Sequence, residues 1–245
     1  MTDQIKLAGV DLAWNSAKNP SAIAIGSLGA DGLTVLSVHP AVLGIDEVFQ
    51  ILSEAADLSG IAIDAPLIIN NSDGQRLCER EIGVTYGSRN ASCHPSNTSL
   101  YPNANSVELS NKLSRLGFSH MNGRRWQIEC YPHPAIIEIF DLKERLKYKK
   151  GRVQEKKAGQ IELARLINLL SSSPILKLTA GDLAARYGDA KNIELLKGRA
   201  LKSNEDALDA IICLYIAALH YIGGVGRTFG NVTDGYIWVP QRACV

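Results

Sequence analysis

Five carboxylates stand where apolar residues are expected: Asp11, Asp64, Glu129, Asp206 and Asp209. Asp11 interrupts the apolar stretch Lys6-Leu-Ala-Gly-Val-Asp-Leu-Ala-Trp14, Asp64 sits near the end of Gly60-Ile-Ala-Ile-Asp-Ala-Pro66, and Glu129 lies in Trp126-Gln-Ile-Glu-Cys-Tyr-Pro132. Asp is depleted in strands, and a buried carboxylate costs several kcal/mol unless a positive or hydrogen-bonding group meets it. Asp206 and Asp209 belong to Ser203–Leu219, which from Ala207 on is apolar nearly all round, the pattern of a buried helix. Three positions apart, they share a helical face. Ser203-x-x-Asp206 has the form of a capping box, an ordinary explanation for Asp206 that Asp209 lacks. If these side chains meet, they cannot all ionise without a counter-charge. Oxygen-only ligands suit Mg²⁺ or Mn²⁺ rather than zinc. Two such ions about 3.5–4 Å apart bridge a scissile phosphate, activating water and stabilising the leaving oxygen. The chemistry expected of these five as catalytic residues is phosphodiester hydrolysis.

The elements that must position them form an α/β order. Lys6–Trp14, Ser21–Leu28 and Leu33–Val38 read as strands joined by short loops, an antiparallel meander. Ile45–Leu58 has helical spacing with Asp46 and Glu47 in its first turn. This crossover places the strand Gly60–Pro66 parallel to the first and beside it. Between about 68 and 123 the chain turns polar, with short helices expected at Arg76–Ile82 and Val107–Leu116 and a loop over Gly87–Ser99. A long loop inside a compact domain is usually functional, and this one reads as an insertion over one end of the sheet. Trp126–Pro132 reads as a fifth strand, followed by a helix over Pro134–Arg145, an amphipathic stretch Gln160–Leu170 and a helical start at Gly181–Tyr187. The line Ala210, Cys213 and Ala217 would let the last helix approach the sheet closely. No repeat or linker divides residues 1–245, so one domain is expected.

With 245 residues, 46% of them hydrophobic, 21% charged and a net charge of +1, the chain has the balance of an ordinary globular protein. That balance excludes disorder and gives no global electrostatic case for nucleic acid. No apolar run is long enough for a bilayer, and the start Met-Thr-Asp-Gln lacks a signal pattern, so no membrane association and a cytoplasmic location are expected. Asn90-Ala-Ser92 and Asn97-Thr-Ser99 match the glycosylation acceptor pattern but carry no weight without such a signal. Cys78, Cys93, Cys130, Cys213 and Cys244 are scattered and odd in number, as expected of reduced thiols.

Around the acids, Arg76, Arg80 and Lys202 are the candidate substrate-binding residues, each able to meet a phosphate and each also readable as a surface charge. The basic run Lys143–Lys157 suits backbone contact with nucleic acid, although such runs are more often solvated faces. His94 and His133 lack partners at metal spacing and read as structural. The glycine-rich Gly223–Gly230 follows a helix rather than a strand, so it reads as a helix-terminating loop rather than a dinucleotide site.

Gly-Val-Asp11, Ile-Ala-Ile-Asp64-Ala-Pro, Glu129-Cys-Tyr-Pro-His-Pro, Asp206-Ala-Leu-Asp209-Ala and the closing Gly235-Tyr-Ile-Trp-Val-Pro240 together resemble the domain of unknown function 429 family. Members of that family are regarded as RNase H-like nucleases. The Asp-x-x-Asp is also similar to that of bacterial Holliday-junction resolvases of the same superfamily. The resemblance spans Leu7 to Pro240. It implies an RNase H-like fold, with a five-stranded mixed sheet flanked by helices, and metal-ligand positions at Asp11, Asp64, Asp206 and Asp209. It implies a metal-dependent nuclease with nucleic acid as substrate. Glu129 is a less definite member, because the superfamily varies in which strand supplies its remaining acid. Two alternatives stay open. One is nucleotide-dependent phosphotransfer of the actin-like type, against which Asp11 is followed by Leu-Ala-Trp-Asn rather than a glycine-rich hairpin. The other is a catalytically silent binding protein on the same fold.

Overall fold

The computed structural model describes residues 4–14 and 19–242. Cys244 lies outside the described residues; Cys78, Cys93, Cys130 and Cys213 are free thiols. Strands β1 (Ile5–Asp11), β2 (Pro20–Gly29) and β3 (Gly32–Leu43) form the expected antiparallel meander. Helix α1 (Ile45–Glu54) crosses to β4 (Leu58–Asp64), which pairs parallel with β1. The polar stretch contains α2 (Leu77–Tyr86), a 3-10 turn at Gly87–Arg89, α3 (Asn105–Arg115) and β5 (Phe118–His120). Then come β6 (Arg125–Glu129), α4 (Pro132–Ile139), α5 (Val153–Leu169), β7 (Leu178–Thr179), α6 (Gly181–Gly188), α7 (Ala190–Leu195), α8 (Gly198–Tyr221), β8 (Gly226–Asn231) and β9 (Gly235–Pro240). The main sheet runs β5-β6-β4-β1-β2-β3-β7, and β8 and β9 form a separate antiparallel pair.

The sheet therefore has seven strands, not five. Its edges, β5 and β7, are three and two residues long, too short to leave an alternation in the sequence. The glycine-rich 223–230 stretch likewise ends α8 and then becomes β8 rather than remaining a loop. Among the described residues no helix is long and apolar enough to cross a membrane.

Strand alternation sorts the two sheet faces. Leu7, Ala62, Trp126, Ile128 and Cys130 pack in one cluster with α8, whereas Ala8, Val10, Ile61 and Ile63 pack with Leu109 and Leu113 of α3 on the other face. The long helix α8 lies across β1 to β4, and the small-residue line lets it come very close. A Cβ added at Gly9 would stand 1.9 Å from the Leu214 nitrogen and 2.3 Å from the Ala210 carbonyl oxygen. Only glycine permits that crossing.

Candidate active site

Asp11 and Asp64 end β1 and β4 and are paired in register. By alternation both follow Leu7, Gly9 and Ala62 toward α8. The helix answers with Asp206 and Asp209, which are 2% and 0% exposed. It begins at Gly198, so Ser203 and Asp206 lie in its interior, and the capping-box explanation for Asp206 is removed. Asp206 and Asp209 thus face Asp11 and Asp64 across one end of the sheet.

Burial dominates the electrostatics of all four. It pushes Asp11 up to about 6, with Lys149 opposing and the carboxyl of Asp206, at hydrogen-bonding range, adding to the rise. Asp64 is raised well above the carboxylate range by burial, against the pull of Lys149 and with Asp11 and Asp209 repelling. Asp206 and Asp209 are raised by burial while Lys202 and Lys149 respectively hold them down. Asp206 Oδ2 is buried without a hydrogen-bond donor.

Two lysines supply counter-charge. Lys149 places Nζ 2.7 Å from Asp209 Oδ2 and 3.9 Å from Asp64 Oδ2. Burial would lower its pKa, but Asp209, Tyr148, Asp11 and Asp64 raise it. The preceding residue, fully buried Tyr148, donates its hydroxyl to Asp209 Oδ1 at 2.6 Å. Both belong to an irregular strap between α4 and α5, which passes α5 where a Cβ on Gly159 would meet the Lys147 carbonyl oxygen at 2.1 Å. Lys202 pairs with Asp206 Oδ1 and Glu205 Oε1, each at 2.7 Å. The run 143–157 is therefore not simply a solvated face: Lys149 reaches into the acids, and buried Lys157 donates to the Glu194 carbonyl. Nothing in the spacing around Tyr148-Lys149 distinguished them from their basic neighbours.

Glu129 is separated from this group. It pairs with Ile63, so alternation turns it to the face opposite α8. There Arg76 meets it with Nη2 2.6 Å from Oε1 and Nη1 2.9 Å from Oε2, and Leu67 N–H donates to Oε2 at 2.9 Å. Arg76 also binds Glu79 at 2.8 Å and the Ile68 carbonyl at 3.0 Å. At 3% exposure, with its guanidinium spent on two acids, Arg76 is a structural counter-ion and does not have the geometry of the expected phosphate contact. Arg80 is exposed and donates to the Gln75 carbonyl at 2.6 Å. A cleft of about 150 Å³ opens beside Asp64, with Glu129 and Arg76 in its wall and Trp14, His94 and Tyr131 at its rim. His133 is buried between the rings of Tyr131 and Tyr148.

The donor chemistry of Asp11, Asp64, Asp206 and Asp209 fits a hard divalent cation, and the orphaned Asp206 Oδ2 beside another carboxyl is an oxygen such an ion would satisfy. Among the described residues, no three such side chains already converge on one point as a metal cage, and the ammonium groups hold the acids instead.

The family model "Protein of unknown function (DUF429)" matches residues 9–234. The chain belongs to that family. No curated protein matches the chain. No solved structure matches it either.

Proposed function

We propose that this member of the DUF429 family is a divalent-cation-dependent phosphodiesterase acting on nucleic acid. The observation that carries the reading is the in-register Asp11–Asp64 pair facing Asp206 and Asp209, four carboxylates raised by burial at one end of the sheet. An antiparallel meander followed by parallel β4 and β6 supports the RNase H-like fold that the sequence resemblance implies.

Asp11 and Asp206 would hold the cation, with Asp64 beside them. Bound Mg²⁺ or Mn²⁺ would supply charge neutralisation on the phosphate and an acidified water. Asp64, 18% exposed along its side chain and lining the cleft, is reachable by a substrate. Lys202 keeps 55% of its side chain exposed and can turn its ammonium from Asp206 to a substrate phosphate.

The test is cleavage of end-labelled single-stranded, duplex and branched DNA and RNA with Mg²⁺, Mn²⁺ or a chelator. Wild type should cut at least one substrate only with metal, and D11N and D206N should not cut. Metal-independent cleavage, or variants cutting at the wild-type rate, overturns the reading. Failure to cut any substrate together with failure to bind Mn²⁺ identifies a catalytically silent binding protein.

A further inference from the structure

The acid group is divided into two unequal halves. On one side Asp209 meets the strap with both oxygens, Oδ1 accepting from the Tyr148 hydroxyl at 2.6 Å and Oδ2 in an ion pair with Lys149 Nζ at 2.7 Å that lacks hydrogen-bond alignment. On the other side Asp206 Oδ2 has no donor and the side chain against it is the carboxyl of Asp11. Each half has one lysine, but the Asp209 half holds a largely covered one, whereas the Asp11–Asp206 half has two carboxyls, a buried oxygen without a partner and only the half-exposed Lys202, 2.7 Å from Asp206 Oδ1.

The strap is anchored rather than loosely laid. Arg89 pairs with Glu138 at 2.9 Å and donates to the Leu142 carbonyl at 2.5 Å, and Arg145 N–H donates to the Arg89 carbonyl at 3.0 Å. Asn90 Nδ2 holds Glu144 at 2.9 Å. Tyr148 is fully buried immediately before Lys149. The lysine's side chain is 25% exposed, and its ammonium, held by Asp209 at 2.7 Å, stands 3.9 Å from Asp64, whose carboxyl lines the cleft. Lys202, by contrast, lies on the solvent side and is free to leave.

We propose that the site takes one divalent cation, seated by Asp11 and Asp206 with Asp64 beside them, and that the Lys149 ammonium is its permanent second positive charge, facing a non-bridging oxygen of the bound phosphodiester. This rests on the phosphodiesterase reading and replaces the pair of ions expected from the acids alone. A resident ammonium does for the phosphate what a second ion would do electrostatically, without needing a ligand set. Asp209 is then a positioning residue that holds Lys149, not a metal ligand.

The experiment is a Mn²⁺ titration followed by electron paramagnetic resonance and calorimetry on wild type, K149M, K149R and D209N, each checked for fold by circular dichroism. Wild type, K149R and D209N should each bind one ion. K149M should bind two, because Asp64 and Asp209 lose their counter-charge, and Mn²⁺ should raise its melting temperature more than that of wild type. Two ions in wild type, loss of binding in D209N, or one ion of unchanged affinity in K149M overturns the proposal while leaving the phosphodiesterase reading intact. No ion in wild type overturns both. If K149M does not fold, D209N and K149R still decide the matter, since a second bound ion in either contradicts it.

Discussion

Replacing Asp11 with Asn should stabilise the protein at neutral pH. Asp11 is pushed up to about 6 from an ordinary 3.8, chiefly by burial. A folded-state pKa above the unfolded one contributes stability that is fully present below 3.8 and is lost as the pH rises through 6. The 2.2-unit difference between those values corresponds to about 3 kcal/mol against the ionised form at pH 7.5. Asp11 is only partly buried by exposed area and titrates together with its neighbours, so about 1–2 kcal/mol is the working expectation. The Asn amide removes the charge and adds a donor for the orphaned Asp206 oxygen. Urea unfolding followed by tryptophan fluorescence, without divalent ions, should give D11N an advantage at pH 7.5 that disappears by pH 4. In a chain of this length about 1–2 kcal/mol corresponds to roughly 2–8 °C in melting temperature. Saturating Mn²⁺ should reverse the order by stabilising wild type alone. If D11N is less stable at pH 7.5, or its advantage does not change with pH, the electrostatic account of the acid group is wrong.

Three further outcomes follow from the packing. His133 is buried and pushed down to about 3, first by burial and then by Lys149. The unfolded chain therefore binds a proton that the folded one refuses, and wild type loses about 1.4 kcal/mol per pH unit at this site as pH falls below 6.5; urea midpoints of H133F should lack that part of the slope. R76M strands buried Glu79 and Glu129 and should cost about 3–5 kcal/mol in urea unfolding, whereas a change below about 1 kcal/mol would contradict the ion-pair geometry. Gly9→Ala drives a methyl into the α8 backbone and should destabilise by about 3 kcal/mol or prevent folding, which circular dichroism and solubility will reveal.

Much of the framework was legible because its signals are local. Strand alternation around Asp11 and Asp64 and the apolar helix after Ala207 specified the faces that meet. The turn of Glu129 away from α8 was also written in Trp126-Gln-Ile-Glu-Cys130, where alternate residues share a face, but a carboxylate among apolar residues drew attention to its type rather than its parity. The start of α8 was hidden because a glycine, Gly198, opens it and the residue before, Lys197, makes no side-chain cap. Lys149 was not legible at all. Its role depends on an irregular strap with no period, fixed by contacts from Arg89 and Asp209 far away in the chain. Edge strands of two and three residues leave no pattern to read.

The most direct measurement is anomalous diffraction from a crystal soaked in Mn²⁺. The predicted result is a single strong peak at the ends of β1 and β4, bound by oxygens of Asp11 and Asp206, with Lys149 still on Asp209. No peak at that end of the sheet, or an ion bound elsewhere while these carboxylates keep their ammonium partners, would contradict the account.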